Sequence, residues 1–310
     1  MKINRKVLLG ATALAATSFA VAEKAQAAGD LGGYYEYMYT DGTATVGGGI
    51  AASSQSWYLS YSETLDNGMT IGISSTNAAN PMMSVGGGFG TLYVATSNWN
   101  DAADKFDDQA PEVGVMGTGQ GAMDYTDDGG YTELDGEGRN SVTLMLPAMG
   151  NLSTAFSYAP DSTNLNDDDW SFGASFTAGG LKVNYAHVDH GYKNPSTGIT
   201  SATEDDYVGI TLDMSDYGMS GLKIGYEVFQ GGLSGDTDAY NMSLSYAMDN
   251  GFTIGLGHAD NDATGTSETS GDAVEVAYSL GGLTASVAFA DGTLAGKSSS
   301  AVGVGLAIGF

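Results

Sequence analysis

The chain has 310 residues, no cysteine, and 37 acidic against 10 basic residues, for a formal charge of −27. Phosphate binding needs clustered Lys and Arg to displace counterions, so this balance excludes a nucleic-acid binder. The missing thiols exclude disulfide frameworks, thiolate metal sites and a cysteine nucleophile, and a hydrophobic content of 42% with 18 tyrosines excludes a disordered chain.

Lys2, Arg5 and Lys6 precede an uncharged apolar stretch from Val7 to Ala22, and Ala25-Gln26-Ala27 places small residues where a signal peptidase reads. The pattern predicts a cleaved secretory signal over residues 1–27. The apolar stretch is shorter than the ~20 residues of a spanning helix, which weighs against a membrane anchor. Cleavage removes Lys2, Arg5, Lys6, Lys24 and Glu23, leaving 283 residues with a charge of −30 and an envelope or secreted destination.

From there the chain reads as strands, with apolar or aromatic residues at every second position. The first five are predicted at 31–39, 56–64, 69–75, 82–88 and 91–96, and the next at 141–146 and 151–158, after an outsized polar segment at 97–140. At 169–177, Trp170, Phe172, Ala174 and Phe176 alternate with Asp169, Ser171, Gly173 and Ser175. Strands follow at 181–189, 206–214, 221–229, 239–247, 252–259, 272–280 and 283–290. The last, 301–310, sets Val302, Val304, Leu306, Ile308 and Phe310 against Gly303, Gly305, Ala307 and Gly309. Short turns such as Asp66-Asn67-Gly68, Asp249-Asn250-Gly251 and Gly281-Gly282 carry hairpin chemistry. They alternate with longer polar connections at 40–55, 76–81, 159–168, 190–205, 230–238, 260–271 and 291–300. Sixteen strands result, an even count.

Alternation by itself also fits a soluble sandwich. Turns short at one rim and long at the other, and strands near the ~9–11 residues of a tilted bilayer crossing, favour an all-β transmembrane antiparallel barrel over 28–310. Tyr35, Trp57, Tyr58, Tyr61, Tyr158, Trp170, Tyr185, Tyr240, Tyr246 and Tyr278 stand near strand ends, where interfacial girdles belong. Closure leaves no edge amides unpaired in lipid.

The mature chain resembles the Gram-negative general diffusion porins, most closely those of Rhodobacter-type bacteria. Three features carry the resemblance: Leu31-Gly32-Gly33-Tyr34-Tyr35 after the signal, Gly88-Phe89-Gly90-Thr91-Leu92 ahead of the long loop, and the alternating last strand ending in Phe310. The resemblance implies a 16-stranded barrel in the outer membrane, a homotrimer, a third loop folded inward to narrow the pore, and Phe310 as the signal read by the barrel assembly machinery.

The outsized segment falls where that loop belongs, and Asp101, Asp104, Asp107, Asp108, Glu112, Asp124, Asp127 and Asp128 are its candidate constriction acids. Related porins oppose such acids with wall arginines; here the mature chain holds one arginine, Arg139, so that ladder is not carried over. Wall positions on the polar phase are Glu36, Asp169, Lys182, Asp213, Lys223, Glu227 and Glu275, with Lys182 and Lys223 beside short turns. Acid rings favour cations. The expected function is a water-filled, cation-preferring channel for small hydrophilic solutes and ions. Many loop acids also suit a solvated outer surface or divalent bridges to lipopolysaccharide.

No cofactor is expected, although Asp104, Asp107 and Asp108 offer oxygen ligands for a structural calcium. No catalytic residues are assigned, since His187, His190 and His258 accompany no nucleophile elbow, phosphate loop or His-Glu-x-x-His motif. A non-conducting structural or adhesive barrel, or an outer-membrane hydrolase, are the alternatives to a pore.

Overall fold

The computed structural model describes residues 27–42, 49–76, 79–95, 101–107, 110–111, 141–160, 168–193, 200–231, 237–263, 269–294 and 297–309. Among these, sixteen strands form one closed antiparallel barrel. They are β1 (Ala27–Gly42), β2 (Gly49–Thr64), β3 (Thr70–Thr76), β4 (Ala79–Gly87), β5 (Gly90–Ala95), β6 (Ser141–Met145), β7 (Leu152–Ala159) and β8 (Asp169–Ala178). The second half comprises β9 (Leu181–Lys193), β10 (Thr200–Asp213), β11 (Leu222–Gly231), β12 (Thr237–Ala247), β13 (Phe252–Ala263), β14 (Thr269–Leu280), β15 (Leu283–Leu294) and β16 (Lys297–Gly309). Each strand pairs with its sequence neighbours, and β1 closes on β16 through Tyr34 opposite Gly309 to Gly42 opposite Ala301. No helix among the described residues is long and apolar enough to cross a membrane, which says nothing of a β-barrel.

The period-two pattern sorts the two faces. Leu59, Ile73, Met83, Phe156, Phe176, Leu256 and Phe289 each stand 46% exposed or more, on the phase that points away from the barrel axis. An apolar belt running through so many strands is lipid-facing surface, because water would penalise it over its whole area. At the rim above the belt, ring donors meet carboxylates. Trp170 Nε1 donates to Asp189 Oδ2 at 2.9 Å, Tyr185 OH to Asp206 Oδ1 at 2.7 Å, and Tyr158 OH to Asp168. Rings with an apolar body and a hydrogen-bonding tip suit this boundary. Tyr58 pairs with Gly32 and Thr76, at the position before outward-facing Leu59.

The expected contrast between short and long connections needs correction. β3 and β4 are separated by residues 77–78 and β15 and β16 by 295–296, as tightly as the turns of the other rim. The described parts of several polar segments read as long loops, at 40–42, 49–55, 190–193, 200–205, 260–263, 269–271, 291–294 and 297–300, are continuations of the strands. β1 and β2 reach 16 residues each, well beyond a bilayer crossing of ~9–11. In these overhangs backbone pairing continues without the apolar alternation that betrays a strand in sequence. The β5 to β6 and β7 to β8 connections remain long, at 96–140 and 160–168.

Candidate pore constriction

The interior is not packed like a soluble barrel. Two clusters of buried side chains lie where the start of the β5 to β6 connection meets the inner wall, and a third, Ala259, Ala273 and Ala290, lies on β13 to β15. Residues 101–107 fold into a compact turn, with Phe106 N and Asp107 N both donating to Ala103 O at 2.8 and 3.0 Å, while Asp104 N donates to Asp101 Oδ1 at 2.8 Å. An aspartate capping its own turn satisfies amides that a buried loop would otherwise leave unpaired. Ala102, Ala103 and Phe106 then pack on lumen-phase residues: Ala155 of β7, Ala186 and Val188 of β9, and Tyr207 of β10. Ala102 N donates to Ser171 Oγ at 3.1 Å, and Lys105 Nζ lies 4.6 Å from the ring centre of Tyr93 on β5.

Gly173 on β8 makes this approach possible. A Cβ at Gly173 would lie 2.2 Å from the Phe106 ring and 2.4 Å from Ala102 O, so only glycine admits the loop at this depth. Further along, Ala110 N donates to Glu227 Oε1 on β11 at 2.6 Å, and the same oxygen accepts from Tyr207 OH at 2.7 Å. Among the described residues the contacts of the segment fall on β5 to β11. The facing wall, β13 to β16, carries small residues at lumen-phase positions, among them Gly255, Gly257, Ala273, Ala288, Gly303 and Gly305.

Burial alters the reading of several candidate acids. Asp101 and Asp107 are each 7% exposed and are wedged between loop and wall, away from pore water; Asp104 is half-buried. Burial pushes the Asp101 carboxyl up to about 7, against the opposing hydrogen bonds from the Asp104 and Ala103 amides and Ser171. Burial likewise lowers the Lys105 ammonium, with Asp104 and Asp101 pulling the other way. Asp108, Glu112, Asp124, Asp127 and Asp128 lie outside the described residues, as does Phe310.

Every wall candidate stands on the lumen phase, but not all face water. Asp169 and Glu227 are 4% and 3% exposed, which corrects their reading as water-facing selectivity acids. Glu275 is half-buried between Gly255 and Ala288, and Glu36 pairs with Ala307 and Ser54. Asp213, Lys182 and Lys223 share the rim of short turns, where Lys223 Nζ approaches Asp213 Oδ2 at 3.8 Å. Asp213 also caps the 3-10 turn Met214–Tyr217 through Ser215 N. Of the calcium candidates, Asp104 and Asp107 belong to the described turn and Asp108 lies outside the described residues; among the described residues no group of three His, Cys, Asp or Glu side chains converges. Tyr207, fully buried, and the glycines beneath the loop were not singled out in the sequence. The available signal was an aromatic pair, Tyr207 and Phe229, facing each other on the otherwise polar phase of β10 and β11.

A closed sixteen-stranded barrel with an outer apolar belt, and with the start of the long β5 to β6 connection seated on its inner wall, defines a transmembrane barrel with the general diffusion porin fold. Solved structures share it. A porin refined at 1.8 Å superposes with a TM-score of 0.71 at 17% identity, covering 91% of this chain and 100% of its own. The anion-selective porin of Comamonas acidovorans gives 0.66 at 15% identity over 92% and 100% of the two chains. A loop-deletion variant of OmpT, an outer membrane protein of Vibrio cholerae, gives 0.67 at 14% identity over 92% and 99%. No protein-family model matches the chain, and no curated protein sequence is similar to it.

Proposed function

We propose that the chain forms a water-filled channel for passive diffusion of small hydrophilic solutes and ions across a Gram-negative outer membrane, with a preference for cations. The observation that carries this reading is the division of the inner wall. The loop start rests on β5 to β11, while β13 to β16 present glycine, alanine and serine, which leave room that a filled barrel would occupy with bulk. Sixteen strands enclose an aqueous lumen where eight would be filled by side chains. Passive diffusion requires no catalytic group and no cofactor. His187 and His258 face the outer surface, bonded to Asp206 and Asp272, away from any lumen solute.

Cation preference rests on charge, because a fold shared with an anion-selective porin does not set the sign. Leaving aside the buried Asp169 and Glu227, the lumen-phase acids Glu36, Asp205, Asp213 and Glu275 still outnumber Lys182 and Lys223 on the strands, and the long connection adds further acids. A pore narrower than the ~8 Å Debye length at physiological salt screens such charges incompletely. The same reading includes cleavage after Ala27, Phe310 as an assembly signal, a homotrimer, and contact of the acidic outer rim with lipopolysaccharide. Liposome swelling tests permeation directly. Vesicles carrying the refolded protein should swell in small sugars and not in large oligosaccharides, whereas failure to swell in either would favour a non-conducting structural barrel.

A further inference from the structure

Glu227 is buried in a place where a selectivity charge has no use. Its Oε1 accepts from Ala110 N of the loop and from Tyr207 OH of β10, and its Oε2 accepts from Asn241 Nδ2 of β12 at 3.4 Å. Three separate parts of the fold thus converge on one carboxylate that is 3% exposed. The surroundings are shaped for the same contact. A Cβ at Gly225 would lie 2.5 Å from Ala110 Cβ and 2.6 Å from Pro111 Cδ, so Gly225 forms the dent in which this part of the loop sits. Pro111 disfavours a helical backbone at the preceding Ala110 and offers no amide of its own. Tyr207 reaches Glu227 by running over Gly209, where a Cβ would meet its hydroxyl at 2.1 Å, and its ring packs on Phe229 with centroids 4.9 Å apart.

We propose that Glu227 is a positioning residue, a buried latch that holds the loop at Ala110 and thereby sets the cross-section of the pore, rather than one of the charges that select ions. The inference rests on the pore reading for its consequence and on the geometry alone for the latch. It separates charge from position. Glu227→Gln removes the charge but keeps an oxygen for the Ala110 amide, whereas Glu227→Ala removes both. Gly225→Ser keeps the carboxylate and lifts the loop out of its dent.

The test uses the refolded full chain in planar bilayers, with amide hydrogen exchange at Ala110 as a readout independent of conduction. Glu227→Gln should keep the wild-type reversal potential, conductance and Ala110 protection. Glu227→Ala and Gly225→Ser should both raise open-channel noise and lower Ala110 protection by at least about tenfold, equivalent to ~1.4 kcal/mol. Equal shifts of reversal potential in Glu227→Gln and Glu227→Ala, with Ala110 protection unchanged, would make Glu227 a selectivity charge and overturn the latch. So would a Gly225→Ser variant indistinguishable from wild type. If wild type fails to conduct while the exchange pattern holds, the pore reading falls and the latch stands.

Discussion

Gly173→Ala tests whether the loop root rests on β8. The added Cβ would meet Phe106 at 2.2 Å and Ala102 O at 2.4 Å. The ring can turn aside, but the carbonyl belongs to the loop backbone. Restoring an ordinary 3.4 Å contact therefore moves the root by about 1 Å, which breaks the 3.1 Å bond from Ala102 N to Ser171 Oγ. Overpacking of this kind costs ~1–3 kcal/mol, while exchanging glycine for alanine stabilises a compatible strand by at most ~1 kcal/mol through the unfolded state. The loop therefore yields and the barrel does not. A displacement worth ~1–3 kcal/mol corresponds to roughly 5- to 150-fold more time in undocked conformations. Single-channel recording should show more open-channel noise and altered unitary conductance, with thermal unfolding of the barrel unchanged. Gly305→Ala is the control, since a Cβ there meets only the rotatable Ser286 hydroxyl at 2.7 Å. If Gly173→Ala and Gly305→Ala record alike, the loop root does not depend on β8.

Three further outcomes are expected. Asp101 binds its proton more tightly when the loop is docked than when free, at about 7 against an ordinary carboxylate near ~3.9. Its contribution to docking is therefore complete below the ordinary value, declines as pH rises, and is gone once pH passes about 7. Open-channel noise should rise from acid to alkaline pH in wild type and stay flat in Asp101→Asn; identical pH profiles would refute this. Leu256→Arg places a charge in the lipid-facing belt between Leu244 and Val274, and should cost ~2–4 kcal/mol in denaturant-titrated folding into lipid vesicles. An undiminished folding free energy would mean this face does not meet hydrocarbon. Removing both lumen-phase lysines of the short-turn rim, as Lys182→Gln with Lys223→Gln, should increase the cation-to-anion permeability ratio; an unchanged ratio would place these lysines outside the ion path.

The strand count, the order of the strands and the phase of nearly every wall residue were legible in the sequence, because within the bilayer one face of each strand must be apolar and the other need not be. The pattern failed where that constraint ends. Residues such as His190 to Lys193 and Asp291 to Thr293 continue the ladder as polar hairpin, and nothing in their alternation marks them as strand. Adjacent Trp57 and Tyr58 were both assigned to the girdle although a strand sends neighbours to opposite faces. The start of the β5 to β6 connection lies on the inner wall, but its packing there was not legible in the sequence. Asp101, Asp107, Asp169 and Glu227 read as pore acids since carboxylates usually seek water, and only the packing of Ala102, Ala103 and Phe106 against the wall shows why these do not reach it. Nothing in the alternation marked Gly173 and Gly225, and the room left by their missing Cβ is occupied by the loop.

The sign of the reversal potential across a salt gradient bears most directly on the proposed pore, measured on the refolded mature chain at low ionic strength, where the Debye length extends to ~30 Å at 0.01 M and fixed charges act at full reach. A cation-preferring channel carries cations from the concentrated to the dilute side and leaves the dilute side positive. A dilute side that turns negative, or a bilayer that never conducts, would contradict it.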